Sequence, residues 1–335
     1  MQLNDTPLPI AVLTGATGFI GSHLADLLVQ KGYEVRCIVR KGSNLQWLKD
    51  KPVACYAVGL DSEDALAEVL TNANLVFHVA GVVRANTEQA FYEGNVTTTQ
   101  VIINALLKYA PNINRLLVVS SLATTGPAVE GQVVDEQTPL KPVSLYGRTK
   151  LLQEQLVQQY THQLSITIVR PPAVYGERET DIYQFFRTYQ QGFLPIAGLW
   201  GNKQLSMVHV SDLVAGIYLA ATSPKSVGQV YFIGSEKQYT WADVAHATQL
   251  ALGKRALAIR LPHWSIYLLG AMAQVVGRVT GQASILSIEK AHEMTAAAWT
   301  CSSQKAITHL GYKPLVSLNE GMAKTIAWYK INKWL

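Results

Sequence analysis

The sequence predicts a doubly wound α/β protein: an open parallel sheet covered by helices on both faces, followed by a smaller, mostly helical lobe. Three observations predict it. Short apolar runs alternate with helical-period segments through the first half of the chain. The runs are continuously apolar rather than alternating, as strands buried on both faces are. A glycine-rich turn joins the first run to the first helical segment, where such sheets hold their ligands.

Residues 10–14 read as an apolar strand that ends at glycine, and a helical pattern covers 18–31. The alternation continues with strand 35–39, helix 65–71, strand 75–79, helix 97–109, strand 116–120, helix 145–160 and strand 166–170. After Pro171 the order loosens. Glycines, prolines and aromatics crowd 175–201, as in a loop-rich lobe. Residues 230–233 read as a strand returning to the main sheet, and from Trp241 to Trp328 the chain reads as mostly helical. The expected division is a sheet domain over 1–174, completed by 207–234. A lobe over 175–206 and 235–328 and a tail over 329–335 complete it.

The 335 residues suffice for a large core plus a lobe. No apolar run reaches the roughly 20 residues that span a bilayer. Residues 1–10 hold Asp5 and two prolines without a basic start, so no signal peptide is expected. Cys37, Cys55 and Cys301 are few and scattered, which suggests reduced thiols and a cytoplasmic protein. The net charge is +5, but its densest basic cluster is only Arg36, Arg40 and Lys41, so nucleic acid is not an expected partner. The eight histidines show no ligand spacing, and no metal site is expected.

The turn reads Leu13-Thr14-Gly15-Ala16-Thr17-Gly18-Phe19-Ile20-Gly21. Gly15 allows a tight turn, Gly18 lets backbone approach a pyrophosphate, and Gly21 lets helix pack closely on strand. The helix start then offers free N–H groups and partial positive charge to phosphate. Strand, glycine turn and helix in that order point to a Rossmann-type dinucleotide site. At the end of the second strand stands Val39-Arg40-Lys41-Gly42-Ser43 rather than an acidic residue. A guanidinium there suits a 2′-phosphate, so NADP(H) is favoured over NAD(H).

Tyr146-Gly147-Arg148-Thr149-Lys150 opens a helix and puts Tyr146 and Lys150 on one face. A nearby ammonium lowers a phenol's pKa toward general acid/base range. Spacing alone means little, since Tyr329 and Lys333 repeat it near the C-terminus. The informative feature is the preceding strand, which ends in Val119-Ser120-Ser121 and offers a hydroxyl to a substrate carbonyl.

With these residues in place the chain resembles the extended short-chain dehydrogenase/reductase family along nearly its whole length. The resemblance rests on the glycine turn, His78-Val79-Ala80-Gly81, Asn95-Val96 and the Ser/Tyr/Lys set. Arg170-Pro171-Pro172-Ala173-Val174-Tyr175-Gly176, Val208-His209-Val210-Ser211-Asp212-Leu213 and Leu310-Gly311-Tyr312-Lys313-Pro314 extend it. It implies Ser121 as catalytic serine, Tyr146 as acid/base, and Lys150 as ligand of the nicotinamide ribose. It implies that Asn95 holds a proton-relay water or serves as a structural cap. Contacts to the cofactor would come from Gly15, Thr17, Gly18, Phe19, Ile20, Gly21, Arg40, Lys41, Val79, Ala80, Gly81, Ser120, Pro171 and Val174. His209 and Asp212 would organise the junction of the lobes. One departure is Gly59-Leu60-Asp61, where the family often has Gly-Asp-Leu, so the adenine contact would shift to Leu60 and Asp61.

Within the family the chain is most similar to the dihydroflavonol-reductase-like and 3β-hydroxysteroid-dehydrogenase-like branch. Sugar dehydratases resemble one another in an Asp-Glu pair where this chain has Leu122 and Ala123. Nucleotide-sugar epimerases place arginines where it has Leu205-Ser206 and within 294–301, which holds no basic residue. Aromatic and apolar residues stand nearby instead: Phe185, Phe186, Tyr189, Phe193, Leu199, Trp200 and Trp299. The expected activity is NADPH-dependent reduction of an apolar or aromatic ketone, or its reverse. A nucleotide-sugar epimerase and a non-catalytic NADPH-binding protein are the alternatives. The resemblance also implies a homodimer through 97–109 and 145–160. The uncharged segment 264–277 reads as a packed lobe helix, as an apolar wall over substrate, or as an interfacial helix at a membrane. The last reading draws on Lys330, Lys333 and Trp334 of the tail.

Overall fold

The computed structural model describes residues 7–198, 203–280 and 287–335. The first half lays down β1 (Ile10–Thr14), α1 (Phe19–Gln30), β2 (Glu34–Ile38), β3 (Val53–Tyr56), α2 (Ala67–Leu70) and β4 (Leu75–His78). There follow α3 (Glu88–Tyr92), α4 (Thr98–Tyr109), β5 (Arg115–Val119), α5 (Leu145–Gln158) and β6 (Ile166–Arg170). The second half begins with β7 (Ala173–Tyr175), α6 (Asp181–Gln190), β8 (Phe193–Ala197), β9 (Gln204–His209), α7 (Val210–Thr222) and β10 (Val230–Phe232). It ends with β11 (Gln238–Thr240), α8 (Trp241–Leu252), β12 (Leu257–Leu261), α9 (His263–Thr280), α10 (Ile288–Thr295), β13 (Ala298–Trp299), α11 (Gln304–Leu310) and α12 (Leu318–Ile331).

Seven parallel strands form the main sheet in the order β10-β6-β5-β4-β1-β2-β3. Every residue of β1, β5 and β6 is buried, which is why these strands are mostly apolar on both faces. One face is covered by α1 and α7 through Leu24, Leu28, Leu213 and Ile217. The other is covered by α2, α4 and α5 through Val69, Ile102, Leu106 and Val157. Chain order reverses between β1 and β4, and the ligand crevice of such a sheet opens at the carboxyl ends there.

Several elements differ from the sequence expectation. Segment 65–71 splits into a 3₁₀ turn, Asp64–Leu66, and the single turn of α2. A π-helical turn, Glu93–Thr97, precedes α4. The edge strand β3 has no counterpart among the expected elements; its residues are half-exposed or exposed. The lobe also carries more strand than expected: β11-β9-β13 with β7 on β9, and β8 paired with β12. Its apolar core joins α6, α8 and α12 through Phe186, Val244, Met322, Ile326 and Tyr329.

The segment after Trp328 is not a loose tail. Helix α12 continues to Ile331, Tyr329 is fully buried, and the Trp334 ring stacks on it at 5.4 Å. Among the described residues no helix is long and apolar enough to cross a membrane.

Candidate active site

The glycine turn is shaped by contact. Gly15 has φ +73, and a Cβ there would lie 2.7 Å from the Ala80 nitrogen at the end of β4. A Cβ on Gly21 would lie 2.1 Å from the Gly15 carbonyl oxygen. Neither position admits a side chain, so β1, β4 and α1 converge on a bare backbone. Gly18 caps α1 without a side-chain hydrogen bond, and the first turn holds no acidic residue. The helix start is thus left as an anion site.

Ser121 follows β5 and caps a 3₁₀ turn, its Oγ accepting from the Ala123 nitrogen at 3.1 Å. Ser144 caps α5 by accepting from Gly147 at 3.2 Å. A Cβ on Gly147 would fall 2.5 Å from the Ala123 carbonyl oxygen. That glycine is what lets the first turn of α5 press against the Ser121 turn. Tyr146 and Ser121 consequently share a side-chain hydrogen bond.

Lys150 lies one helical turn further, 3% exposed. Its Nζ donates to the Val119 carbonyl and to Gln153 Oε1, both at 2.8 Å. From there a buried polar chain leads back to the glycine turn. Gln153 Nε2 donates to Thr99 Oγ1 at 2.7 Å, and Thr99 donates to the Asn95 carbonyl at 2.6 Å. Thr99 Oγ1 must then accept from His78 Nε2 at 2.8 Å, which assigns the imidazole proton to Nε2. His78 Nδ1 accepts from Thr14 Oγ1 at 2.9 Å, and Thr14 accepts from the Ala80 nitrogen at 3.1 Å.

The electrostatics follow from burial. Desolvation brings His78 down to about 3, with the Lys150 charge adding to the fall, so the ring is neutral. Desolvation lowers Lys150 to about 8, opposed by the Glu154 carboxylate. Tyr146 is pushed up to about 12 by burial; the Ser121 hydrogen bond pulls it down and Glu293 adds to the rise. The expected lowering of the phenol by Lys150 is therefore corrected. The ammonium is held on the strand end and on Gln153, and burial dominates.

A family model described as the NAD dependent epimerase/dehydratase family matches residues 11–234. The chain belongs to that family. Its relatives include the ceramide reductase of Caulobacter vibrioides, 28% identical over 97% of this chain and 96% of the relative. The mouse 3 beta-hydroxysteroid dehydrogenase type 7 is 26% identical over 97% and 96%. The crystal structure of UDP-glucuronic acid 4-epimerase from Bacillus cereus, in complex with UDP-glucuronic acid and NAD, superposes with a TM-score of 0.78. It is 24% identical over 96% of this chain and 99% of that one, a likeness of fold. Like its family, this chain is an NAD(P)-dependent enzyme of the extended short-chain dehydrogenase/reductase type.

The residues present fit the family's dinucleotide. A Cβ on exposed Gly81 would lie 2.9 Å from Asn95 Oδ1 and 3.2 Å from Lys150 Nζ, so bare backbone again marks a close approach. Arg40 and Lys41 are exposed just beyond β2, and Arg40 has no ion-pair partner among the described residues. Asp61 is exposed after β3, its Oδ1 3.0 Å from where a Gly59 Cβ would stand. Pro171 is buried, its carbonyl accepting from Leu122 at 2.9 Å, and Val174 lies half-buried in β7.

Other expected site residues are used differently. The Ser120 hydroxyl donates to Glu154, which also pairs with Arg170 in a fully buried cluster, so that side chain is taken by the core. Asn95 is completely buried. Its Oδ1 accepts from Val82 at 2.8 Å and its Nδ2 donates to Val82 and Thr149, each at 3.0 Å. It ties the loop after β4 to α5. His209 binds Ser211 and faces Glu177, while Asp212 accepts from Val316.

Among the aromatics, Phe186 and Tyr189 are buried in the lobe core against α12 and α8, and Phe193 is 49% exposed. Leu199 and Trp200 lie outside the described residues. Trp299 packs toward α10 beside α5, its indole donating to the Glu293 carbonyl at 2.8 Å. Sequence reasoning missed Gly147, Gln153 and Thr99. It also missed Glu289 and Glu293, which reach α5 from α10. Only Gly147 left a local signal, as the glycine between Tyr146 and Lys150.

Proposed function

We propose that this chain is an NADPH-dependent carbonyl reductase, and in reverse an alcohol dehydrogenase, for an apolar or aromatic ketone–alcohol pair. The observation that carries the reading is the pairing of the Tyr146 and Ser121 hydroxyls beside the end of β5, with Lys150 hydrogen-bonded to that same strand end. Tyr146 Oη–H gives its proton to the substrate oxygen in reduction, and Ser121 Oγ–H donates a hydrogen bond to that oxygen. A phenol at about 12 is protonated at neutral pH, the state reduction requires. In oxidation the phenolate takes the proton back. Lys150 holds the nicotinamide ribose, the glycine turn with Phe19 and Ile20 holds the pyrophosphate, and Arg40 with Lys41 holds the 2′-phosphate. When bound, the nicotinamide supplies or accepts the hydride at the carbonyl carbon.

Two features support an apolar substrate. Relatives named for ceramide and for a hydroxysteroid align over nearly the full chain. Leu205 and Ser206 are buried, and 294–301 holds no cation for a substrate diphosphate.

A nucleotide-sugar epimerase is the second reading. It is favoured by a cleft of about 370 Å³ between α6, β8, α8 and β12 whose lining includes Lys203, His246 and Arg260. NADPH oxidation with ketones of rising chain length, run beside product analysis of sugar nucleotides incubated with the enzyme, separates the two, because epimerisation returns the hydride and consumes no net cofactor. Reduction predicts that kcat/KM climbs with apolar area, at about 25 cal/mol per Å² buried. A flat or falling series, with turnover of sugar nucleotides, overturns the reductase in favour of the epimerase.

A further inference from the structure

Helix α9 turns an apolar flank to solvent. Trp264, Leu268, Leu269, Met272, Val275 and Val276 are 46–68% exposed, and their spacing of three and four residues puts them along one side. The opposite side is occupied. Ile266 and Gly270 are buried, and a Cβ on Gly270 would lie 2.8 Å from the Ser287 carbonyl oxygen. The Tyr267 hydroxyl reaches His292 Nδ1 at 3.1 Å and Thr295 at 3.0 Å on α10. Beyond Pro262, β12 adds Leu257 and Ile259, 68% and 39% exposed. Six large apolar side chains left in water on one helix mark an interaction surface.

The charge around this flank selects its partner. Between Asp243 and Glu289 the sequence contains no carboxylate, while the turn before β12 carries Lys254 and Arg255, both exposed. We propose that α9 docks on an anionic phospholipid bilayer, lying flat with its apolar flank at the acyl boundary and these cations near lipid phosphates. A helix of 18 residues is about 27 Å long and, lying in the plane, presents its whole stripe at once. Trp264 opens that stripe, a side chain suited to the water–lipid boundary. A second copy fits poorly. Isologous pairing through this flank would bring the same cations against themselves with no acid between them. The tail takes no part, because Trp334 is packed among Tyr329, Trp47 and Trp328.

The inference rests on the surface alone, independent of the reductase reading. Its geometry gives it one functional consequence. Since α10 lies between α9 and the start of α5, the docked flank is one helix away from Tyr146.

Vesicle flotation of the full chain tests the proposal without any turnover. Wild type is expected to float with phosphatidylcholine vesicles that contain phosphatidylglycerol, and less so at high salt. Leu268→Glu with Met272→Glu changes two exposed positions; it is expected to cut partitioning by at least about tenfold while the circular dichroism and Tm stay those of wild type. Lys254→Glu with Arg255→Glu should weaken the phosphatidylglycerol-dependent part alone. Wild type that stays unbound to these vesicles at low salt overturns the proposal, as does unchanged flotation of the Leu268/Met272 variant. So does a wild-type oligomer in light scattering that this variant dissociates while vesicles bind neither protein.

Discussion

Glu293 accepts a hydrogen bond from the Ser144 hydroxyl at 2.7 Å, two residues before Tyr146. Its neighbour on α10, Glu289, accepts from the Leu145 backbone nitrogen at 2.7 Å. Two carboxylates from the lobe thus sit at the positive end of α5, a placement the helix dipole favours. The same Glu293 charge disfavours phenolate on Tyr146. Glu293→Gln keeps an oxygen for Ser144 and removes the charge, so the tyrosine's pKa should fall. Alcohol oxidation, which needs phenolate, is expected to speed up at a fixed mildly alkaline pH, while reduction at neutral pH stays as it was. Superimposable pH profiles for oxidation would show that Glu293 only holds the helix.

Tyr146→Phe tests the acid/base directly. The ring packing is retained and the hydroxyl lost, so folding and cofactor affinity should persist while turnover drops roughly 100-fold or more. Turnover close to wild type on a verified ketone would remove Tyr146 from the reaction.

Cofactor choice is tested at Arg40, exposed just past β2. A charge-assisted contact to a 2′-phosphate is worth roughly 1.5–3 kcal/mol, or about 10- to 150-fold in affinity. Arg40→Ala should weaken NADPH by that factor and leave NADH nearly unchanged in fluorescence titrations. Equal affinities of the wild type for both nucleotides would refute the assignment.

His78 predicts an acid limit to stability. Its folded pKa, about 3, lies below the unfolded value of 6.5, so the unfolded chain takes up the proton first as pH falls. Its contribution is complete above 6.5 and is lost from there down toward 3, at up to about 1.4 kcal/mol per pH unit. His78→Gln should be less stable at neutral pH yet lose less on acidification. Denaturant midpoints measured across that window would show it, and parallel curves for the two proteins would exclude the imidazole as the cause.

How far these features were legible in the sequence depended on how local their causes are. Strands β1, β5 and β6 stood out because burial on both faces makes most of their residues apolar, whereas β3 at the sheet edge escaped notice. The glycine turn and the Tyr146–Lys150 spacing were legible because each is a single turn of backbone. Where Lys150 points was not, since that depends on the Val119 carbonyl and on Gln153. Glu289 lies 144 residues from the nitrogen it accepts from, and no local pattern announces such a contact. Phe186 looked like substrate wall by composition, but the lobe core claims it, whereas Tyr189 lines the cleft between α6, β8, α8 and β12.

The chain of hydrogen bonds through His78 begins at a backbone N–H, that of Ala80, and ends at a backbone carbonyl, that of Asn95. Neither end can take up or release a proton under ordinary conditions, and every hydroxyl between them already points one way. An imidazole in such a string is an insulator rather than a conductor. Its service is mechanical: it fixes the end of β4 against α4 in one register, and Gln153 ties Lys150 to the same frame.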